Sequence, residues 1–248
     1  MIKANCRKKF TKEDFEFIAH TLGKDHKNKA AVAKLLTDDE SRDDILDHEL
    51  LFDSLNQQTG FSKISPYLYF YLLTRKVFKE RDLDDRNLAD YVASMLAEFC
   101  SLKRAMSISR DHPKSYQYLT DMMIDFVEAS SFEAFLLRSH IGNYTLLLTG
   151  IFPDYIYRKS TYGRKAPGFE YYEEMGRSSY RWAAKHKLAV KYRLVEILSN
   201  LAQQFRLVRL ALNNLSDNYL TLNEHPANLD HVLRRIFYGE AGGDLSQA

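Results

Sequence analysis

Apolar residues recur at spacings of three and four along almost the whole chain, and no two-residue alternation is long enough to predict a strand. The pattern predicts an all-α protein, a multi-helix bundle of about eight to ten helices with no β-sheet. Thr11 with Asp14 three residues later opens a first helix over 11–20, and a second spans 28–36 beyond Gly23 and the polar run GKDHKN. Thr37-Asp38-Asp39-Glu40 has the form of a capping box, in which the threonine hydroxyl and the glutamate each satisfy the other's free amide. It starts a helix that runs to about residue 56. At Ser65-Pro66, serine is a helix cap and proline fits the first turn, where its missing N–H has no partner to lose. The helix that follows, PYLYFYLLTRKVF, is apolar around most of its circumference and so belongs in a core.

Further helices are predicted over 84–100, with Asp84 and Asp85 at the end where the dipole favours acids, and over 115–129. The segment 131–152 contains twelve uncharged residues in a row, 141–152, and Pro153 closes it because the residue before proline is pushed out of helical angles. Residues 157–168 (YRKSTYGRKAPG) are basic and rich in turn formers, and read as a mobile loop. Helices then cover 169–186 and 188–219, the latter without internal proline or glycine, and a short helix precedes Tyr238 after Pro226. The pattern describes a single all-helical domain over 1–240, divisible into closely packed halves at 1–112 and 113–240, with 241–248 as a frayed tail.

Composition supports the helices. Only 10 Gly and 5 Pro occur in 248 residues, too few for a turn-rich β fold, while 45% hydrophobic and 27% charged residues are ordinary for a globular chain. Cys6 and Cys100 are too few and too far apart for a disulfide framework or a zinc ribbon. The first residues lack the apolar core of a secretory signal, and no run approaches the roughly 20 apolar residues of a membrane span. A cytoplasmic location and no membrane contact are the expectation.

Net charge is +2, but unevenly spread. Residues 38–53 carry eight acids against one arginine, and residues 155–210 carry twelve Lys/Arg against four acids. Each reads first as a solvated helix face, or as two faces that meet. Lys185, Lys187, Lys191 and Arg193 also form a candidate nucleic-acid surface, although no helix-turn-helix or aromatic RNA motif accompanies them.

Motif chemistry is sparse. No Glu-x-x-His pair exists for a di-iron site, no glycine-rich phosphate loop follows a strand, and no G-x-S-x-G elbow appears. No metal site, cofactor or catalytic residue is implied, and the reading leans away from an enzyme. Small residues do mark two helices. Ser139, Gly142, Leu146 and Gly150 share one face of 131–152, and Tyr172, Gly176, Ser179 and Ala183 share one face of 169–186, so the two predict close packing. Around that contact a low-specificity ligand set can be named: Arg138, His140, Tyr144, Arg177, Tyr180 and Arg181. His140 and Tyr144 are one turn apart. Arg177, Arg181 and Lys185 make a cationic stripe suited to phosphate or carboxylate. Glu173, four residues before Arg177, is placed to neutralise it.

The patterns G-x-Y-x-L-x-x-x-G-x-F-P (Gly142, Tyr144, Leu146, Gly150, Phe152, Pro153) and Y-Y-x-x-x-G-x-x-x-Y (Tyr171, Tyr172, Gly176, Tyr180) resemble those of a group of uncharacterised bacterial cytosolic all-helical proteins. The resemblance covers about forty residues. It implies a bacterial cytosolic origin and carries no activity. Three functions follow in order. The first is an interaction or regulatory protein, homo-oligomeric with a dimer favoured, or joined to a protein partner; the tyrosine-rich segments 66–71 and 171–172 motivate it. The second is a protein or enzyme binding a small anionic ligand between 131–152 and 169–186, with 157–168 as lid. The third is a binder of nucleic-acid backbone.

Overall fold

The computed structural model describes residues 1–23, 25–57, 64–116, 118–162 and 167–220; the expected helix after Pro226 and the tail at 241–248 lie outside them. Among the described residues there are fourteen α-helices and no strand. They form two compact units, Lys3–Ala97, and Met1–Ile2 with Glu98 onward.

In the Lys3–Ala97 unit, a 3₁₀ turn at Arg7–Lys9 precedes α1 (Lys12–Leu22), α2 (His26–Leu35), α3 (Asp39–Leu46), α4 (Glu49–Gln57) and α5 (Pro66–Lys79). α6 (Arg86–Phe99) runs into the boundary. α1 opens with the expected Thr11–Asp14 capping box. The Asp14 carboxylate does more, accepting from Ser65 N at 2.7 Å and Ser65 Oγ at 2.6 Å, so the start of α5 is tied to the start of α1. Ser65 in turn caps Leu68, with Pro66 in the first turn. α5 is buried on most sides, as its composition requires.

The acidic helix differs from expectation in two ways. Its cap is Asp38, which accepts from Ser41 N; the Thr37 hydroxyl instead donates back to Lys34 O at 2.6 Å. It also breaks at Asp47–His48, where Asp47 ends α3 and the His48 ring nitrogen accepts from Leu50 N at the start of α4.

From Glu98 onward the chain forms α7 (Leu102–Ala105), α8 (Leu119–Glu128), α9 (Ser131–Ile151), α10 (Pro153–Tyr162), α11 (Phe169–Ala184), α12 (Lys187–Lys191), α13 (Val195–Gln203) and α14 (Phe205–Leu215), then a π-helical turn at Ser216–Leu220. α9 is the innermost helix, buried from Ala134 to Ile151 at every position but Arg138, and packs on α8, α10, α11 and α14. A Ser130–Glu133 capping box starts it. Its last carbonyls are closed from α14, where Asn213 Nδ2 donates to Thr149 O and Gly150 O, and by Ser216 Oγ donating to Ile151 O.

Three boundaries move. Pro153 not only stops α9 but starts α10, the position where proline is tolerated, so 157–162 are helical rather than loop, and 163–166 lie outside the described residues. α8 begins at Leu119, because Tyr116 is held in the preceding segment by its N–H to Met106 O and its hydroxyl to Asp125. The expected 188–219 helix is broken at Arg193, which adopts φ +56°, and at Gln204. These breaks, with that at Asp47, raise the helix number above ten.

Candidate functional site

The predicted contact between the 131–152 and 169–186 helices is the tightest seam of the unit. A β-carbon placed on Gly142 would stand 2.6 Å from the Tyr180 ring, and one on Gly176 would stand 2.4 Å from Thr145 Oγ1 and 2.5 Å from Phe205 Cε2. Neither point has room for a methyl group. Gly150 makes its close approach to Leu212 of α14 rather than to α11. Tyr180, fully buried, donates its hydroxyl to Asn143 Oδ1 at 2.9 Å and so pins the two helices in register. Thr145 and Thr149 turn their hydroxyls back onto carbonyls of α9 itself.

The six candidate ligand residues do not converge. His140 is buried among Phe99, edge-on at 5.6 Å, Tyr144, stacked at 6.2 Å, and the Ala105 backbone. Its Nε2 has no partner among the described residues. Burial, assisted by the positive charge of Arg104, pushes its pKa down to about 3, so the ring is neutral near pH 7 and a poor base there. Burial raises the Tyr144 phenol well above its usual range, leaving it un-ionised. Arg177 and Arg181 lie on the other side of α11. Arg177 is half-buried and pairs with Glu174 at 3.4 Å, while the expected partner Glu173 is taken by Arg209 of α14 at 3.4 Å. Arg181 is exposed.

Arg138 is different. Its guanidinium lies 4.1 Å over the Phe126 ring and reaches Ser179 Oγ at 3.4 Å; Nε is buried without a partner and no carboxylate pairs with it among the described residues. Burial lowers its pKa. Phe126 also begins an aromatic train that the sequence does not reveal: Phe126 meets Trp182, Trp182 stacks on His186, and His186 stacks on Phe135. Ser131 Oγ lies 2.9 Å from His186 Nε2. The train joins α8, α9 and the end of α11. Lys185, Lys187, Lys191 and Arg193, all exposed, lie at and beyond that end. None of the four is in an ion pair among the described residues. No Asp or Glu occurs from 176 to 195, a stretch with six Lys/Arg.

No family model, curated protein or solved structure matches this chain.

The Lys3–Ala97 unit holds the densest charge cluster. Arg75, 2% exposed, makes a two-pronged pair with Asp47 at 2.7 Å on each side and reaches Asp84 Oδ1 at 2.8 Å. Arg86 bonds Asp44 and Asp47, and Arg7 bonds Asp43 and Asp90. Burial alone would raise the Asp47 carboxyl, but the hydrogen bonds and charges of Arg75 and Arg86 hold it below the usual carboxylate range. Asp43, Asp44 and Asp47 of the acidic 38–53 segment are thus paired with arginines elsewhere in their own unit. A groove of about 260 Å³ beside the cluster is lined by Leu46, Phe52, Leu72 and Lys79 with Arg75 and Asp47, whose charges are spent on each other. Among the described residues no three His, Cys, Asp or Glu side chains form a metal-binding group, and no helix is long and apolar enough to cross a membrane.

What remains outside the core is apolar surface. Among the described residues, four of the ten exposed large hydrophobics, Tyr118, Ile124, Val127 and Phe132, fall within fifteen residues around α8. The tyrosine-rich 66–71 segment is not such a surface, because Phe70 and Tyr71 are in the core and only Tyr171 of the 171–172 pair is exposed.

Proposed function

We propose that this is a bacterial cytoplasmic interaction or regulatory protein that works without a cofactor and assembles as a homo-oligomer, a dimer in the simplest case. The resemblance of its 142–153 and 171–180 segments supports the origin. The observation that carries the function is the apolar strip of α8. Val127 is 82% exposed and Ile124 68%, more than most large hydrophobics of this chain, and the two lie three residues apart on one helix side. Scattered single apolar residues are normal on a surface; a grouped, highly exposed pair bracketed by Tyr118 and Phe132 is the pattern of a contact face. The polar residues of the α9–α11 seam, by contrast, serve packing.

Sedimentation velocity across the micromolar range tests the reading. Association is expected for the natural sequence and should be weakened by Ile124→Asp with Val127→Asp, while circular dichroism stays unchanged. A strict monomer at every concentration would overturn homo-oligomeric assembly.

A further inference from the structure

We propose that the occupant of the α8 face is a second copy of this chain, which presents the basic, apolar surface of its α12, and that the contact is reciprocal. The inference rests on the interaction reading above and adds the partner and the matching surface. On α8, Asp121, Ile124 and Glu128 follow at spacings of three and four and so form one strip about 10 Å long. Asp121 and Glu128 are exposed and in no ion pair among the described residues, whereas Asp125, off the strip, is bonded by Lys114 and Tyr116. With Val127 beside Ile124, the face carries two aliphatic side chains bordered on one side by two acids in no ion pair among the described residues.

The complementary surface is in the same unit. Lys187 and Lys191 are one turn apart on α12, Val190 between them is 69% exposed, and Val195 at the start of α13 is exposed as well. Lys185 and Arg193 extend the positive charge at either side. Glu196, exposed beside Val195, is the single acid here against four cations, so the surface around Val190 is predominantly positive, the inverse of the α8 strip in charge and its equal in apolar character. Each copy carries one of each, so a twofold pair makes the same contact twice and leaves neither face open. Repetition matters, since a stable interface covers about 800 Å² per partner and one helix strip alone falls short.

Charge reversal tests the pairing. One variant carries Asp121→Lys and Glu128→Lys, the other Lys187→Glu and Lys191→Glu; all four positions are exposed, and circular dichroism checks each fold. Like charges then face each other in either homodimer, and self-association should weaken at least about tenfold. In a mixture both contacts are attractive again, and native mass spectrometry should show the heterodimer by its distinct mass. Salt should weaken the natural dimer, because exposed pairs are screened. Reversed variants that associate as well as the natural chain, or that fail to recover on mixing, would overturn the proposed contact and leave the interaction reading standing. A natural chain that is monomeric would overturn both. Salt-sensitive binding of duplex or single-stranded DNA by that monomer would assign the cations to phosphate instead.

Discussion

His140 gives the fold of the second unit a pH dependence that can be worked out in advance. Buried beside Phe99 and Tyr144 with Arg104 as a nearby positive charge, it has a pKa pushed down to about 3, against an ordinary value of 6.5. The unfolded chain therefore binds a proton between these values and the folded chain does not. Stability is fully present above pH 6.5 and is lost as pH falls from 6.5 toward 3. At one proton and about 1.4 kcal/mol per pH unit, the loss between pH 7 and pH 5 is about 2 kcal/mol. That window lies above the range where ordinary carboxylates titrate. His186, which burial and Lys187 also shift downward, acts in the same sense. Trp182, the single tryptophan, stacks on His186 in the same unit, and its fluorescence reports the transition. Urea titrations at half-unit steps from pH 7 to pH 5 should show the natural protein losing stability with that slope. His140→Leu will be less stable throughout for lost packing, but nearly flat in pH. Parallel curves for the two proteins would refute the assignment of a buried, neutral imidazole.

Gly176→Ala should cost about 2 kcal/mol, because the β-carbon would stand 2.4 Å from Thr145 and 2.5 Å from Phe205, which puts overpacking at the upper end of about 1–3 kcal/mol against a helix-propensity gain near 1 kcal/mol. Gly168→Ala, at the N-cap of α11 with open space around its β-carbon, should change stability by about 0.5 kcal/mol or less in the same urea titration, because the cap preference for Gly over Ala is offset by the lower entropy of the unfolded chain. Tyr180→Phe removes a buried donor from Asn143 and should cost about 1–2 kcal/mol by Trp182 fluorescence; a neutral effect would mean that this bond is not made. Arg75→Ala leaves Asp47 a partly compensated buried charge and should cost about 3 kcal/mol, whereas Arg86→Ala, with a side chain 34% exposed, should cost about 1 kcal/mol or less. Equal losses in thermal denaturation by circular dichroism would show that burial does not separate the two arginines.

Local signals carried through to the structure where the cause is local. The Thr11 and Ser65 caps, the core character of α5 and the small-residue seam of α9 and α11 all depend on spacings of three or four along one helix. His140 and Tyr144 stack for the same reason. Other features come from partners distant in sequence. The acidic helix breaks at Asp47 where Arg75 and Arg86, 28 and 39 residues away, draw its carboxylate. Glu173 leaves its helical neighbour Arg177 because Arg209 of α14 reaches it. The turn at Arg193 takes a left-handed conformation with no glycine to announce it. The tyrosines of 66–71 look like interface residues by composition, yet the packing of α5 puts much of that segment inside.

The candidate ligand residues separate by the same logic. A helix as buried as α9 has to satisfy its polar side chains or carry the cost of leaving them bare. Asn143 takes the Tyr180 hydroxyl, and Thr145 and Thr149 bond their own helix. His140 tolerates a bare Nε2 only by remaining neutral, which removes it from proton transfer near pH 7. Arg138 alone among the polar residues of this run reaches partway to solvent, and an aromatic face rather than a carboxylate holds it. In the other unit Asp43, Asp44, Asp47 and Asp90 are engaged by arginines. In the unit from Glu98 onward, uncompensated charge lies beside exposed aliphatic side chains on α8 and around α12, with opposite signs. A monomer gains nothing in stability from leaving both uncovered, and a second copy supplies to each what it lacks.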